Sequence, residues 1–166
     1  DKGEKQGFMP HQLIMTATPI PRTLTMSLYG DMDCSIIDEL PAGRTPITTR
    51  VIPGSRRTEI IDRLKQACAS GAQAYWVCTL IESSETLSAE AAEDTAQQLE
   101  KALHPLVVGL VHGRMSGQQK AQIMEKFSAG EIQVLVATTV IEVGVDIANA
   151  SFMVIENAER LGLTQL

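Results

Sequence analysis

The sequence predicts an α/β fold, a doubly wound parallel sheet with helices on both faces. Two observations carry this. Strand-like and helix-like segments alternate with short connections from about Thr48 onward, and the run Ala74 to Ile81 (AYWVCTLI) is apolar at almost every position. Parallel neighbours need a crossover connection, so strand-helix alternation reads as a parallel sheet. A strand apolar on both faces belongs between two helical layers. With 166 residues, 44% of them hydrophobic, the chain has enough apolar surface to bury a core.

Taken in order, Leu13 to Thr18 is an apolar run ending in small hydroxyl residues, and Pro19 and Pro21 set the start of a helix running through Leu28. A short strand is expected at Ser35 to Ile37. The prolines and glycine of Pro41 to Pro46 continue neither regular structure, which marks a linker. The domain organisation that follows is residues 1–40 as the end of one α/β unit, 41–47 as linker and 48–166 as a second unit.

The second unit opens with a predicted strand, Thr48 to Ile52, and a helix, Ser55 to Ser70. That helix carries Ile60, Ile61, Leu64, Ala67 and Cys68 on one face and stops at Gly71. After the strand Ala74 to Ile81, a helix starting after Ser88 turns Ala92, Thr95, Ala96, Leu99 and Leu103 inward until Pro105 ends it. Val107 to Val111 is the next strand. Ser116 and Gln119 form a capping-box start for a third helix, whose inner face is Ile123, Met124 and Phe127 and whose stop is Gly130. Strands at Gln133 to Ala137 and Phe152 to Ile155 complete the pattern, with no internal repeat or low-complexity stretch.

Composition narrows the function. A formal net charge of −6 and a pI near 5.0 argue against a bulk electrostatic nucleic-acid binder, so any such contact is local. Cys34, Cys68 and Cys78 are far apart in apolar surroundings and read as reduced core residues. With His11, His104 and His112 they make no ligand spacing, and no metal is assigned to the protein's own side chains. No apolar run nears the ~20 residues of a membrane span, and the start lacks signal-peptide features, so a cytoplasmic address without a membrane partner is expected. The chain has no initiator Met and ends at Gly-Leu-Thr-Gln-Leu, which reads as a piece of a larger protein.

Open parallel sheets bind ligands beyond the carboxyl ends of their strands. The residues there are Thr79, His112-Gly113-Arg114, Thr138-Thr139 and Glu156-Asn157, which together offer hydroxyls, an imidazole, a guanidinium and a flexible backbone suited to phosphate oxygens. Taken singly, a threonine after a strand is more often a helix cap, and a lone histidine a structural hydrogen-bonder. Their shared edge favours a ligand site. Beyond Thr139, Gly144 allows close backbone approach and Asp146 can accept hydrogen bonds from sugar hydroxyls, the plain alternative for Asp146 being an exposed turn.

Four segments carry a family resemblance over nearly the whole chain. Thr16 to Thr23 (TATPIPRT) resembles motif III of superfamily 2 helicases, Val134 to Ala150 (VLVATTVIEVGVDIANA) resembles motif V, Ala74 to Glu82 resembles motif IV, and Gly109 to Ser116 (GLVHGRMS) resembles the phosphate-contacting segment after it. Asp38 to Thr49 (DELPAGRTPITT) and YWVCTLIE make the RecG family of bacterial branched-DNA helicases the nearest resemblance. The transcription-repair coupling factors share TATPIPRT and the run at the carboxyl end. The resemblance implies a RecA-like fold and a DNA-dependent ATPase in which two such domains close on ATP and step along a strand.

Carried over residue by residue, it implies that Thr16, Ala17 and Thr18 couple hydrolysis to domain movement. Thr79, His112, Gly113 and Thr139 would track the DNA backbone, and Gly144 and Asp146 would face the nucleotide. Arg22 also matches a family position, with DNA binding or support of the motif III helix as its role. The sequence has no Gly-x-x-x-x-Gly-Lys-Thr loop, no Asp-Glu-x-His box and no Gly-Arg-x-Gly-Arg segment. ATP and Mg²⁺ are therefore expected in the intact protein and not on this chain alone. The expected partners are branched and single-stranded DNA, with the first RecA-like domain and a fork-binding wedge domain of the same protein. A non-catalytic α/β interaction domain is the rival from another class, and a Rossmann-type enzyme is disfavoured because no Gly-x-Gly-x-x-Gly follows a predicted strand.

Overall fold

The computed structural model describes residues 13, 15, 35–39, 46–79, 85–138, 147 and 149–161. The chain divides into two units, Asp1–Thr48 and Thr49–Leu166. Of the first unit, the described residues 35–39 and 46–48 have no regular structure, and Ile36, Ile37 and Ile47 are exposed. The motif III residues Thr16, Ala17 and Thr18, and Arg22, lie outside the described residues.

In the second unit a 3-10 turn, Gly54–Arg56, leads into α1, Arg57–Ala69. Then come β1 (Gln73–Cys78), α2 (Glu85–Leu103), β2 (Val108–Val111), α3 (Gly117–Ser128), β3 (Val134–Thr138) and β4 (Ala150–Glu156), followed by a 3-10 turn, Ala158–Arg160. The capping box at α3 forms as expected. The Ser116 side chain accepts from the Gln119 backbone N–H at 3.3 Å, while the Gln119 side-chain oxygen accepts from the Ser116 N–H at 2.9 Å. Helices α1 and α3 are each followed by a glycine with positive φ, Gly71 at 94° and Gly130 at 79°, a conformation costly for residues with a Cβ.

The four strands are parallel, in the order β2-β3-β1-β4. The step from β1 to β2 runs one way across the sheet and the step from β2 back to β3 the other. With right-handed crossovers, that reversal puts the connecting helices on opposite faces. The packing shows this. Ala74, Trp76 and Cys78 of β1 join Val134 and Val136 of β3 under Leu64 and Cys68 of α1 and Ala92, Leu99 and Leu103 of α2. Tyr75 and Leu135 point the other way, against Phe127 of α3 with Val111 and Ile132. Phe127 meets Tyr75 edge to face, with ring centroids 5.0 Å apart at 65°.

Three expectations need correction. Residues 48–52 form no strand, and Val51 is fully exposed. The β-branched residues there, Thr48, Thr49, Val51 and Ile52, suit a strand, but a strand also needs a neighbour for its N–H and C=O groups, and the segment has none among the described residues. The same holds for Ser35 to Ile37. Helix α2 begins at Glu85, before Ser88, which is buried inside the helix and does not open it. Serine is favoured at helix caps, but the position of one serine does not by itself mark the first turn.

Two glutamines close the amino end of the sheet. Gln73, buried, donates both amide hydrogens from Nε2, to the Phe127 carbonyl at 2.6 Å and to the Ile132 carbonyl at 2.8 Å. Gln133 accepts from the Val107 N–H at 2.9 Å and donates to the Gly130 carbonyl at 2.7 Å. Each replaces ladder bonds that the strand ends cannot make. Gln73→Leu is nearly isosteric but leaves the Ile132 carbonyl without its partner and the Phe127 carbonyl with only the Gly130 N–H, and we expect it to cost about 1–3 kcal/mol in urea unfolding. An unchanged urea midpoint would show that water satisfies those carbonyls instead.

Candidate site at the carboxyl edge of the sheet

The register fixes which residues meet at this edge. Val111, Ala137, Val77 and Ile155 stand level across the four strands, and one step further Thr138, Cys78 and Glu156 stand level, with His112 following Val111. Because side chains alternate along a strand, this row faces α1 and α2. Each described contact agrees. His112 Nε2 lies 3.4 Å from Glu93 Oε1 on α2, Glu156 accepts from Arg57 on α1, and Cys78 bonds to Thr95 on α2. Thr79 and Gly113 belong to the next row, on the opposite side of the edge.

Of the residues assigned to DNA, the structure brings Thr79, His112 and Gly113 to one edge, but in different settings. Thr79 and His112 are buried, while Gly113 and Arg114 are exposed. The Thr79 hydroxyl donates to the Asn157 carbonyl at 3.4 Å, and Asn157 itself has φ 52° and ψ 47°, in the left-handed region. Around Gly113 the loop is pinned from three sides. His112 reaches Glu93, Lys120 Nζ donates to the Gly113 carbonyl at 3.3 Å, and the Met115 N–H donates to the His112 carbonyl at 3.2 Å. What faces outward is backbone and one guanidinium, held by buried side chains beneath. Thr139, Gly144 and Asp146 lie outside the described residues.

The edge suits binding better than covalent chemistry. Cys78 is its one described thiol, and burial pushes it up to about 11, with Glu156 adding to the rise and the Thr95 hydrogen bond and Arg57 opposing it, so no thiolate forms near neutrality. His112 Nε2 lies 3.4 Å from Glu93 Oε1, and Nδ1 is buried without a hydrogen-bond partner among the described residues.

One cluster escaped sequence reasoning. Arg57 Nε donates to Glu156 Oε1 at 2.6 Å, and the guanidinium carbon sits 5.0 Å from the centre of the Trp76 ring, which is fully buried. The two charged partners are 99 residues apart, so no local spacing announces them. The available signals were a glutamate at a strand's carboxyl end and an arginine in a helix's first turn, each common alone.

The model of the helicase conserved C-terminal domain matches residues 54–165. The chain belongs to that family. This helicase domain is 65% identical over 167 aligned residues to ATP-dependent DNA helicase RecG of Escherichia coli O157:H7 and, equally, of Haemophilus influenzae, covering 100% of this chain and 24% of each relative. It is 43% identical to ATP-dependent DNA helicase RecG of Thermotoga maritima, covering 97% of this chain and 21% of that protein. Among solved structures it resembles RecG bound to a three-way DNA junction, with a TM-score of 0.71 and 41% identity over 90% of this chain and 19% of that one. The helicase domain thus spans about a quarter of the length of the curated relatives it matches. Its four-stranded parallel sheet is the RecA-like α/β fold that the sequence predicts.

Burial of Cys78 predicts a direction of pH dependence. Its folded value lies near 11 against an ordinary 9.0, so the native state favours the neutral thiol. That contribution is complete below about pH 9 and is lost as pH rises toward 11, where the unfolded chain loses the proton more readily. The Tyr75 phenol and the Cys68 thiol, also raised by burial, act in the same direction. Urea midpoints between pH 8 and 10.5 should fall less steeply for Cys78→Ala than for the wild type. Parallel slopes would place Cys78 in contact with solvent.

Proposed function

We propose that this chain is the second motor domain, with the end of the first, of an ATP-dependent DNA helicase of the RecG type that remodels branched DNA such as forks and Holliday junctions. The observation that carries this reading is 65% identity across the whole chain to proteins named ATP-dependent DNA helicase RecG. The junction-bound RecG structure it resembles supports a branched substrate for the intact protein. In this reading residues 1–40 close the first RecA-like domain, 41–47 form the linker and 48–166 form the second. The intact protein would work with its first motor domain and a wedge domain as internal partners, in the cytoplasm. Among the described residues no helix is long and apolar enough to cross a membrane.

The chemistry divides accordingly. Exposed Gly113 and Arg114, pinned from behind by Glu93 and Lys120, suit a contact with backbone phosphates, supported by Thr79, His112 and Thr139. Gly144 and Asp146 would face the nucleotide from this side. Among the described residues no group of three or more His, Cys, Asp or Glu side chains could hold a metal ion, and Mg²⁺ would accompany ATP in the intact protein. No step is assigned through it. A motor of this kind gains speed by closing two domains on ATP, because phosphoryl transfer depends on positioned charge.

Two measurements test the reading. The intact protein should hydrolyse ATP with stimulation by forked DNA, whereas the chain alone should release no phosphate above a control lacking it; DNA-stimulated turnover by the chain alone would reject the division of labour. In the intact protein Thr139→Ala should weaken fork binding by about 1.5–3 kcal/mol, one hydrogen bond to a charged group. Asp146→Ala should leave fork affinity in place and reduce ATP use, since a carboxylate suits ribose hydroxyls and is repelled by phosphate. Equal losses of melting temperature, affinity and ATPase in both variants would reduce the two residues to supports of a turn.

A further inference from the structure

Arg57 occupies a position that helix stability does not explain. It is the first residue of α1, where the helix dipole disfavours a cation, and the carboxylate it binds comes from the end of β4. Its partners are half-buried or deeper. Glu156 and Arg57 keep 24% and 32% of their side-chain surface, and Trp76 keeps none, its Nε1 having no hydrogen-bond partner among the described residues. The indole is thus held by packing and by the flat guanidinium on its face. Immediately after Glu156 the chain enters the left-handed Asn157, whose carbonyl takes the Thr79 hydroxyl, and then the turn Ala158–Arg160. The ends of β1 and β4 therefore meet in one corner, and Arg57 grips that corner from the side.

We propose that Arg57 is a positioning residue of the motor: by clasping the first turn of α1 to the end of β4 over Trp76, it holds the Thr79–Asn157 corner in the shape that receives the DNA backbone. The proposal rests on the helicase reading above. Without the guanidinium, Glu156 is a largely buried carboxylate with no counter-charge among the described residues, and the direction in which the chain leaves β4 is less firmly fixed. The clasp acts through Thr79 and Asn157 and touches no reacting atom, so its loss should change how much DNA is needed and leave the rate at saturation in place.

The test uses the intact helicase carrying Arg57→Met, Glu156→Gln or both, and Arg57→Lys, which keeps the charge without the flat face. Arg57→Met should raise the forked-DNA concentration that half-stimulates ATP hydrolysis about tenfold, with kcat at saturating DNA held within about twofold. Arg57→Lys should fall between Arg57→Met and the wild type, and the double variant should be no worse than Arg57→Met, because the pair works as a unit. In the 166-residue chain, whose one tryptophan is Trp76, Arg57→Met should shift the emission maximum. Unchanged DNA requirement in Arg57→Met overturns the proposal alone, as does a fall of kcat and DNA affinity in step with melting temperature. A wild-type protein without DNA-stimulated hydrolysis overturns the helicase reading and the proposal with it.

Discussion

Burial of β1 on both faces is the constraint on which the rest of the domain depends. Ala74, Trp76 and Cys78 press against one helical layer while Tyr75 presses against the other, so β1 has no face that can meet water. A strand in that position must have paired neighbours on its two edges and helices above and below, and the chain supplies β3, β4, α1, α2 and α3 in those places. Parallel pairing then sends every carboxyl end the same way. The gathering of Thr79, His112, Thr138 and Glu156 at one edge is a geometric result of hydrophobic burial.

Much of this was legible in the sequence because it rests on local periodicity. Leu64 and Cys68, or Ile123 and Phe127, are spaced to lie on one helical face, and Ser116 with Gln119 spells a helix start within four residues. The failures share another cause. Residues 48–52 are rich in β-branched side chains, but that preference is local, while a strand exists only when another backbone shares its hydrogen bonds. Likewise Glu93 and His112, or Arg57 and Glu156, are brought together by crossovers, and nothing within a short window of sequence encodes such a meeting.

The candidate site was legible in place but not in layering. Reading the residue after each strand put Thr79, His112 and Gly113 on the same edge, which the register bears out. The alternation of side chains then separates them, with His112 tucked under α2, Thr79 turned into the Asn157 corner and Gly113 outside. A sequence reading treats the three as equivalent contacts. The structure makes two of them the supports of a surface formed by backbone and by Arg114.

The two ends of the sheet handle polarity in opposite ways. At the amino end Gln73 and Gln133 satisfy carbonyl and amide groups internally, so that end is closed and self-sufficient. At the carboxyl edge a histidine nitrogen is buried without a partner among the described residues, and Gly113 and Arg114 are exposed. Mutational tolerance should divide along the same axis. At the glutamine-closed end a substitution leaves polar groups inside the domain without partners and lowers stability, whereas a side-chain change at exposed Arg114 strands no buried group.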